Sequence, residues 1–379
     1  MRGHTVGLIV SVIVIPAMLV AGLFFGRPPD PPPIARINRI PTPASSSETS
    51  PWYWSKEYAE ARTICGSVEN REPTLVDRPT ANERNTLRNC ASERLYYGLG
   101  MKADPARARK CAFIETEKDW EYGHEGRKML MVIYANGRGA VRNLDVAMHL
   151  ACGFESASMD EVRLRVSHLN HLKQSRWTGH DFDYCDDITS GHSGGECAHH
   201  DAELAKPARE AALARLTSGW SASAKQAFAA LRKAFDAFAE ARRNNEVDKD
   251  GTLREAVAVV EEERLRDGFL ARMQQLARGN APSYTAAKFK AADRKLNAAY
   301  AALLGNEERM DWVGADPKLV TQTERLWLRY RDAFDAFARI KYPHMRPKSI
   351  AGWLTDERTS MLNTAPAPYG PYGSDEASL

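Results

Sequence analysis

The chain has 379 residues, enough for two or three domains, and 43% of them are hydrophobic and 27% charged, as in an ordinary folded protein. This composition excludes a disordered or fibrous protein. Lys and Arg number 52 against 49 Asp and Glu, so charge alone does not predict a nucleic-acid partner, because phosphate binding needs basic residues concentrated on one face.

The amino terminus predicts a membrane segment. Residues 6–25 form an uncharged run, which as a helix rising ~1.5 Å per residue would be ~30 Å long, the thickness of a bilayer core. Residues 1–26 are therefore expected to be an uncleaved signal anchor, or alternatively a cleaved signal peptide; the anchor is favoured because the apolar run continues past Ala21, the possible cleavage site. Residues 27–51 carry eight prolines and predict an extended linker.

Six cysteines lie in one part of the chain, between Cys65 and Cys197. Free thiols are common in cytosolic proteins, but a cluster in an exported segment favours disulfides. Cys65 with Cys90 and Cys111 with Cys152 is the favoured pairing of the first four. The chain is thus expected to be a single-pass inner-membrane protein with its folded body in the periplasm, or a secreted periplasmic protein if the signal is cleaved.

The last two cysteines, Cys185 and Cys197, flank a Gly-rich stretch. A disulfide closing a loop is the favoured interpretation, with His199 and His200 on the solvated first turn of a following helix. A zinc site formed with His192 and His200 and a pair of free thiols are the alternatives. Neither a Cys-x-x-Cys nor a His-x₃₋₅-His knuckle is present, so a metal site is not expected.

A loose repeat occupies residues 52–155, which are followed by a connector at residues 156–200. Residues 97–108 recur 39 positions later, and each unit predicts two helices joined by a turn with two glycines. The second unit carries an aromatic residue, Gly-x-Gly, Asp and Ala at Tyr134, Gly137, Gly139, Asp145 and Ala147. This pattern resembles the Sel-one-like repeat family, relatives of the tetratricopeptide repeats, which implies a protein-binding solenoid without catalysis. Residues 65–84 are expected to cap it.

The second half predicts two related helical modules. Residues 234–239 return unchanged at 333–338, within aromatic stripes of helical period. We therefore expect tandem three-helix modules at residues 201–282 and 283–362, the first degenerate, and a disordered tail at residues 363–379. The predicted fold class is all-α: a transmembrane helix, a short repeat and these modules.

The second module carries three motifs in order: Asp-x-x-Leu-Asn-x-x-Tyr, Trp-x-x-Tyr-Arg-Asp and Thr-x-x-Arg. Their residues are Asp293, Leu296, Asn297, Tyr300, Trp327, Tyr330, Arg331, Asp332 and Arg358. The module resembles the LprI-type lysozyme-inhibitor family, small secreted helical domains of bacterial envelopes. It departs from that family where two cysteines are usual, since residues such as Asp335 and Ile350 stand there. The motif residues are expected to be structural, with Arg331 and Arg358 joining Asp293 and Asp332 in a buried or half-buried charge network.

No motif predicts catalysis. Ser193 lies in a Gly-x-Ser-x-Gly sequence, but no apolar strand precedes it, as a nucleophile elbow requires. We therefore expect a protein-binding protein of the bacterial envelope that is not an enzyme and uses no cofactor. Its implied partner is a lysozyme-like muramidase, which it would inhibit, or another envelope protein. It would contact the membrane through residues 6–25 and bind neither nucleic acid nor a small-molecule substrate. The alternative is a membrane-anchored scaffold for envelope assembly with no inhibitory activity.

Overall fold

The computed structural model describes residues 55–118, 125–153, 158–248, 250–306, 310 and 316–364. These residues form helices and turns only, which confirms the all-α prediction. The predicted membrane segment, the linker and the tail beyond residue 364 lie outside the described residues. Within them, no helix combines the length and the apolar character needed to cross a bilayer.

The described residues of the first part form seven helices, with short 3₁₀ turns at Lys56–Tyr58, Leu75–Asp77 and Tyr184–Asp187. The helices are α1 (Ala59–Val68), α2 (Ala81–Thr86), α3 (Ser92–Tyr97), α4 (Pro105–Lys118), α5 (Glu125–Asn136), α6 (Leu144–Cys152) and α7 (Met159–Gln174).

In the second part, the described residues form six further helices, most of them longer. They are α8 (Gly191–Thr217), α9 (Ala222–Asn245), α10 (Arg254–Ala277), α11 (Ala286–Leu304), α12 (Pro317–Lys341) and α13 (Ser349–Asn363).

The repeat consists of two helical hairpins, α3 with α4 and α5 with α6, and α4 packs on α5. The four glycines matched by the repeat all adopt positive φ, at 79° and 71° for Gly98 and Gly100 and at 63° and 99° for Gly137 and Gly139. Only glycine adopts this region readily. Both turns therefore place positive φ at the matched glycines, as the repeat predicts.

Residues 65–84 wrap around the repeat. Helix α1 packs on α6 and α7, whereas α2 returns to α4. The segment expected to cap the repeat thus contacts α6 through α1 and α4 through α2. The path of α1 places Cys65 beside the end of α6.

Helix α8 begins earlier than expected. The hydroxyl oxygen of Ser190 accepts the Ser193 N–H at 3.2 Å and caps a helix that starts at Gly191. The prediction of a Gly-rich loop here is wrong, because these glycines serve close packing. A Cβ at Gly191 would lie 2.7 Å from the Leu253 nitrogen, and one at Gly195 would lie 3.1 Å from the Glu255 side chain.

The two predicted modules share one hydrophobic core. Helix α8 packs on α10 and α11 on α13, while the middle helices, α9 and α12, pack on each other. The duplicated stripes meet antiparallel: the ring of Phe228 lies 5.8 Å from that of Phe337, and Phe235 lies 5.3 Å from Tyr330. Buried side chains of all six helices join this core, so the two modules interlock as one six-helix body.

Candidate functional site

Two disulfides fasten the first part of the chain, and a third joins it to α8. Cys65 pairs with Cys152 and ties α1 to α6, and Cys90 pairs with Cys111 and ties the start of α3 to α4. The expected pairing of Cys65 with Cys90 and of Cys111 with Cys152 is therefore wrong. The reason is the path of α1, which follows the repeat to its last helices and not to its first.

The third disulfide joins Cys185 to Cys197, as expected. The alternative zinc site would lose both sulfur ligands to this bond. His192 instead faces Glu196 at 3.5 Å on the surface, while Ser193 donates its hydroxyl to Glu161 at 2.9 Å. No group of His, Cys, Asp and Glu side chains in the described part of the chain could hold a metal ion.

His200 lies at the junction between the repeat and the six-helix body. Its Nδ1 lies 2.6 Å from a Glu93 carboxylate oxygen on α3, and its Nε2 lies 3.2 Å from Asp183. Asp183 also accepts the Tyr97 hydroxyl at 2.7 Å. A carboxylate can only accept a hydrogen bond, so both ring nitrogens of His200 carry protons and the side chain is an imidazolium. The expectation of a solvated His200 is wrong, because its exposure is 4%.

The titration of this cluster follows from its geometry. Burial lowers the pKa of His200, but Asp183 and Glu93 outweigh burial and raise it to about 9. The hydrogen bond from His200 holds the pKa of Glu93 below its ordinary value. Burial raises the pKa of Asp183, but the hydrogen bonds with His200 and Tyr97 outweigh burial and keep this pKa below its ordinary value. The cluster is an ionic clamp that joins α8 to the repeat.

A second ionic cluster lies inside the six-helix body. Arg358 is fully buried and donates to Glu246 at 2.6 and 2.7 Å and to Glu324 at 2.9 Å. Arg242 bridges Glu246 to Glu261, which also accepts from Arg264. Three guanidiniums thus alternate with three carboxylates across α9, α10, α12 and α13. Removal of one member of such a buried network leaves an uncompensated charge, so the network couples the four helices energetically.

This network replaces the one expected from the motifs. Arg358 does not join Asp293 and Asp332, because its side chain faces the end of α9. Arg331 alone meets those two carboxylates, at 3.9 Å from Asp293 and 3.1 Å from Asp332, and its guanidinium lies over the Trp327 ring.

The motif residues therefore divide into a core set and a surface set. Leu296, Trp327, Tyr330 and Arg358 are buried. Tyr300 is partly buried, and its hydroxyl lies 2.8 Å from that of Thr321. The surface set consists of Asp293, Asn297, Arg331 and Asp332. Asn297 and Asp332 are exposed and Asp293 is half-buried, whereas the Arg331 side chain is only 16% exposed. The core set holds the body together.

Three turns meet at one edge of the repeat, which we call the turn edge: residues 75–77, 98–104 and 137–143. Arg109 organises it, since its guanidinium donates to the carbonyl oxygens of Asp77 and Gly139 and pairs with the Asp77 carboxylate at 3.1 Å. Asp77 also accepts the Tyr134 hydroxyl at 2.9 Å. Gly139 lies against the backbone of Pro105, so the two glycine turns are adjacent.

The turn edge exposes aliphatic side chains. Leu75, Val76 and Val141 are 80%, 83% and 88% exposed, the highest values among the large apolar side chains of the described residues, and Met101 is 46% exposed. Single exposed apolar residues are ordinary, but several on adjoining turns are typical of an interaction surface. Motif analysis missed this surface; apolar residues just after each Gly-x-Gly, at Met101 and Val141, were the available signal.

No protein-family model matches the chain, and neither the curated proteins nor the solved structures contain a significant match to it. The resemblances to the LprI-type and Sel-one-like families stay predictions that rest on the quoted motifs.

Proposed function

We propose that this chain is a protein-binding protein of the bacterial envelope, acting outside the cytoplasm as a helical scaffold. The observation that carries the proposal is the turn edge, where exposed Leu75 and Val76 stand on one turn and Val141 on an adjoining turn, and Arg109 joins the two turns. A rigid edge with exposed aliphatic side chains is suited to bind another protein at little conformational cost.

The three disulfides support the location. Disulfides persist in the periplasm and outside the cell, whereas cytosolic thiols are kept reduced. The apolar run of residues 6–25 would hold the body at the inner membrane. Alkylation of the protein from intact cells under non-reducing conditions tests the location by mass: we expect no modified cysteine, and six modified cysteines would contradict it.

Co-purification tests the scaffold. The full chain would be isolated from native membranes in mild detergent, as wild type and with Leu75, Val76 and Val141 replaced by Ser. We expect at least one envelope protein to be lost selectively with the triple variant. A matched variant at exposed Leu204, which lies on α8, should keep it. Identical protein sets from all three chains would refute the scaffold.

Inhibition of a lysozyme or related muramidase is the second candidate function. Its support is the surface set of LprI-type motif residues, Asp293, Asn297, Arg331 and Asp332, which lie together on α11 and α12. The full chain in detergent would be titrated into lysozyme digestion of purified insoluble peptidoglycan. Inhibition that Arg331→Ala weakens would support this function, and an unchanged digestion rate at large molar excess would refute it.

A further inference from the structure

We propose that the turn edge recognises an acidic peptide segment with aliphatic side chains, supplied by another protein. The inference rests on the proposed function and adds the chemistry of the partner. It comes from the charges that surround the exposed aliphatic residues.

The basic side chains of the turn edge are available to a ligand. Lys102, Arg107 and Arg138 are exposed, and none of them has a carboxylate partner within the described residues. Arg138 makes a cation–π contact, with its guanidinium 4.9 Å from the centre of the Tyr96 ring. These three charges give the edge a positive potential that attracts carboxylates.

The acidic side chains of the edge are already engaged. Asp77 is bound by Arg109 and by the Tyr134 hydroxyl. Asp104 accepts the backbone N–H of Arg107 at 3.0 Å, at the start of α4. The Arg109 guanidinium balances the charge of Asp77, whereas Asp104 keeps its charge and lines the same groove. Three exposed basic side chains thus stand against one carboxylate, which leaves an acidic ligand facing a net positive surface.

A groove of about 700 Å³ lies between the two glycine turns. Its walls combine apolar atoms of Met101 and Pro105 with the basic side chains Lys102 and Arg107. A volume of this size accepts a few side chains of a peptide. An aliphatic side chain would fill the groove, while flanking carboxylates would pair with Lys102 and Arg107.

Selection from a library of random dodecapeptides tests the proposal. The immobilised full chain in mild detergent would be the target, and the Lys102→Glu, Arg107→Glu variant would remove peptides that bind elsewhere. Retained peptides would be synthesised with a fluorophore, and their Kd would be measured at low and high salt. The Lys225→Glu, Lys233→Glu variant, changed on α9, is the charge-matched control.

The proposal predicts that the retained peptides are enriched in Asp, Glu and aliphatic residues. Their Kd should rise about tenfold or more with the double charge reversal and should also rise with salt, but stay unchanged in the control. Retention of neutral or basic peptides, or of none, would overturn it. Two further results would overturn the proposal. One is binding of a peptide of residues 365–379 that depends on Lys102 and Arg107 in the same way. The other is self-association of the chain that Val141→Glu abolishes.

This outcome is separable from the proposed function. If co-purification identifies a partner but the selected peptides are not acidic, the edge binds protein by another chemistry and only the present inference fails. If no partner depends on the edge, the proposed function fails as well.

Discussion

Arg358 holds Glu246 in a two-pronged ion pair across 112 positions of sequence, with its terminal nitrogens 2.6 and 2.7 Å from the two carboxylate oxygens. Glu246 directly follows α9, and Arg358 lies on α13. The pair thus joins the first predicted module to the second, inside the core that they share.

Removal of this pair should destabilise the six-helix body strongly. Arg358→Met would leave Glu246 and Glu324 buried with fewer cations, and loss of one partner of a buried pair costs about 3–5 kcal/mol. Arg331→Met is the matched control: its carboxylate partners are largely exposed, so a loss below about 1 kcal/mol is expected. Urea unfolding of both variants measures the difference, and equal losses would contradict the account.

Gly139 should not tolerate a side chain. Its φ is 99°, and a Cβ would lie 2.7 Å from the carbonyl carbon of Pro105. Gly139→Ala is expected to lose roughly 2–4 kcal/mol, because backbone strain and a backbone clash combine. Gly66→Ala within α1 meets nothing within 4 Å and should stabilise the chain by about 0.5–1 kcal/mol. Thermal unfolding compares the two, and a neutral Gly139→Ala would disprove the close approach of the turns.

The His200 clamp should make stability fall at alkaline pH. The pKa of His200 is raised from 6.5 to about 9, so its stabilising contribution is complete below 6.5 and is lost as pH rises through about 9. The shift corresponds to a contribution on the order of 3 kcal/mol. Glu93 and Asp183 have lowered pKa values, so their contribution is instead lost as pH falls through those values.

Urea unfolding between pH 7 and 10 measures this dependence. His200→Gln should be less stable than wild type at pH 7, and the gap should close toward pH 10. His199→Gln is the control, because His199 lies on the surface beside Glu255, and it should follow the wild-type curve. A gap that stays constant with pH would show that His200 is not an imidazolium.

The disulfides should contribute differently to the free energy of unfolding, because they close loops of different length. Cys65 and Cys152 are 87 residues apart, whereas Cys185 and Cys197 are 12 apart. Loop entropy predicts a loss of roughly 4–5 kcal/mol when the first bond is replaced by two serines and roughly 3 kcal/mol for the second. Peptide mapping verifies the pairing, and thermal unfolding measures the losses. A larger loss from the shorter loop would contradict this ranking.

Local sequence patterns predicted the helices and turns well. Paired glycines predicted the positive φ at both repeat turns, and the recurrence of residues 234–239 predicted two equivalent aromatic helices. These features depend on near neighbours in sequence, through backbone sterics and helical period.

Long-range relationships were not predictable in this way. Nothing near Cys65 in sequence reports that α1 packs beside α6, and the Gly-rich stretch at residues 191–195 is typical of a loop until α10 packs against it. Glu246, which binds Arg358, and Glu93, which binds His200, likewise lie 112 and 107 positions away in sequence. Such contacts depend on how whole helices pack, which local periodicity does not specify.

Site-specific photo-cross-linking in native cells tests the central claim, that the turn edge binds another protein, most directly. A photoreactive phenylalanine analogue would replace Val141 at the edge or, as a control, exposed Glu203 on α8. We predict an adduct with a defined envelope protein from position 141 and none of the same mass from position 203. Identical adduct patterns, or no adduct from position 141, would contradict the account.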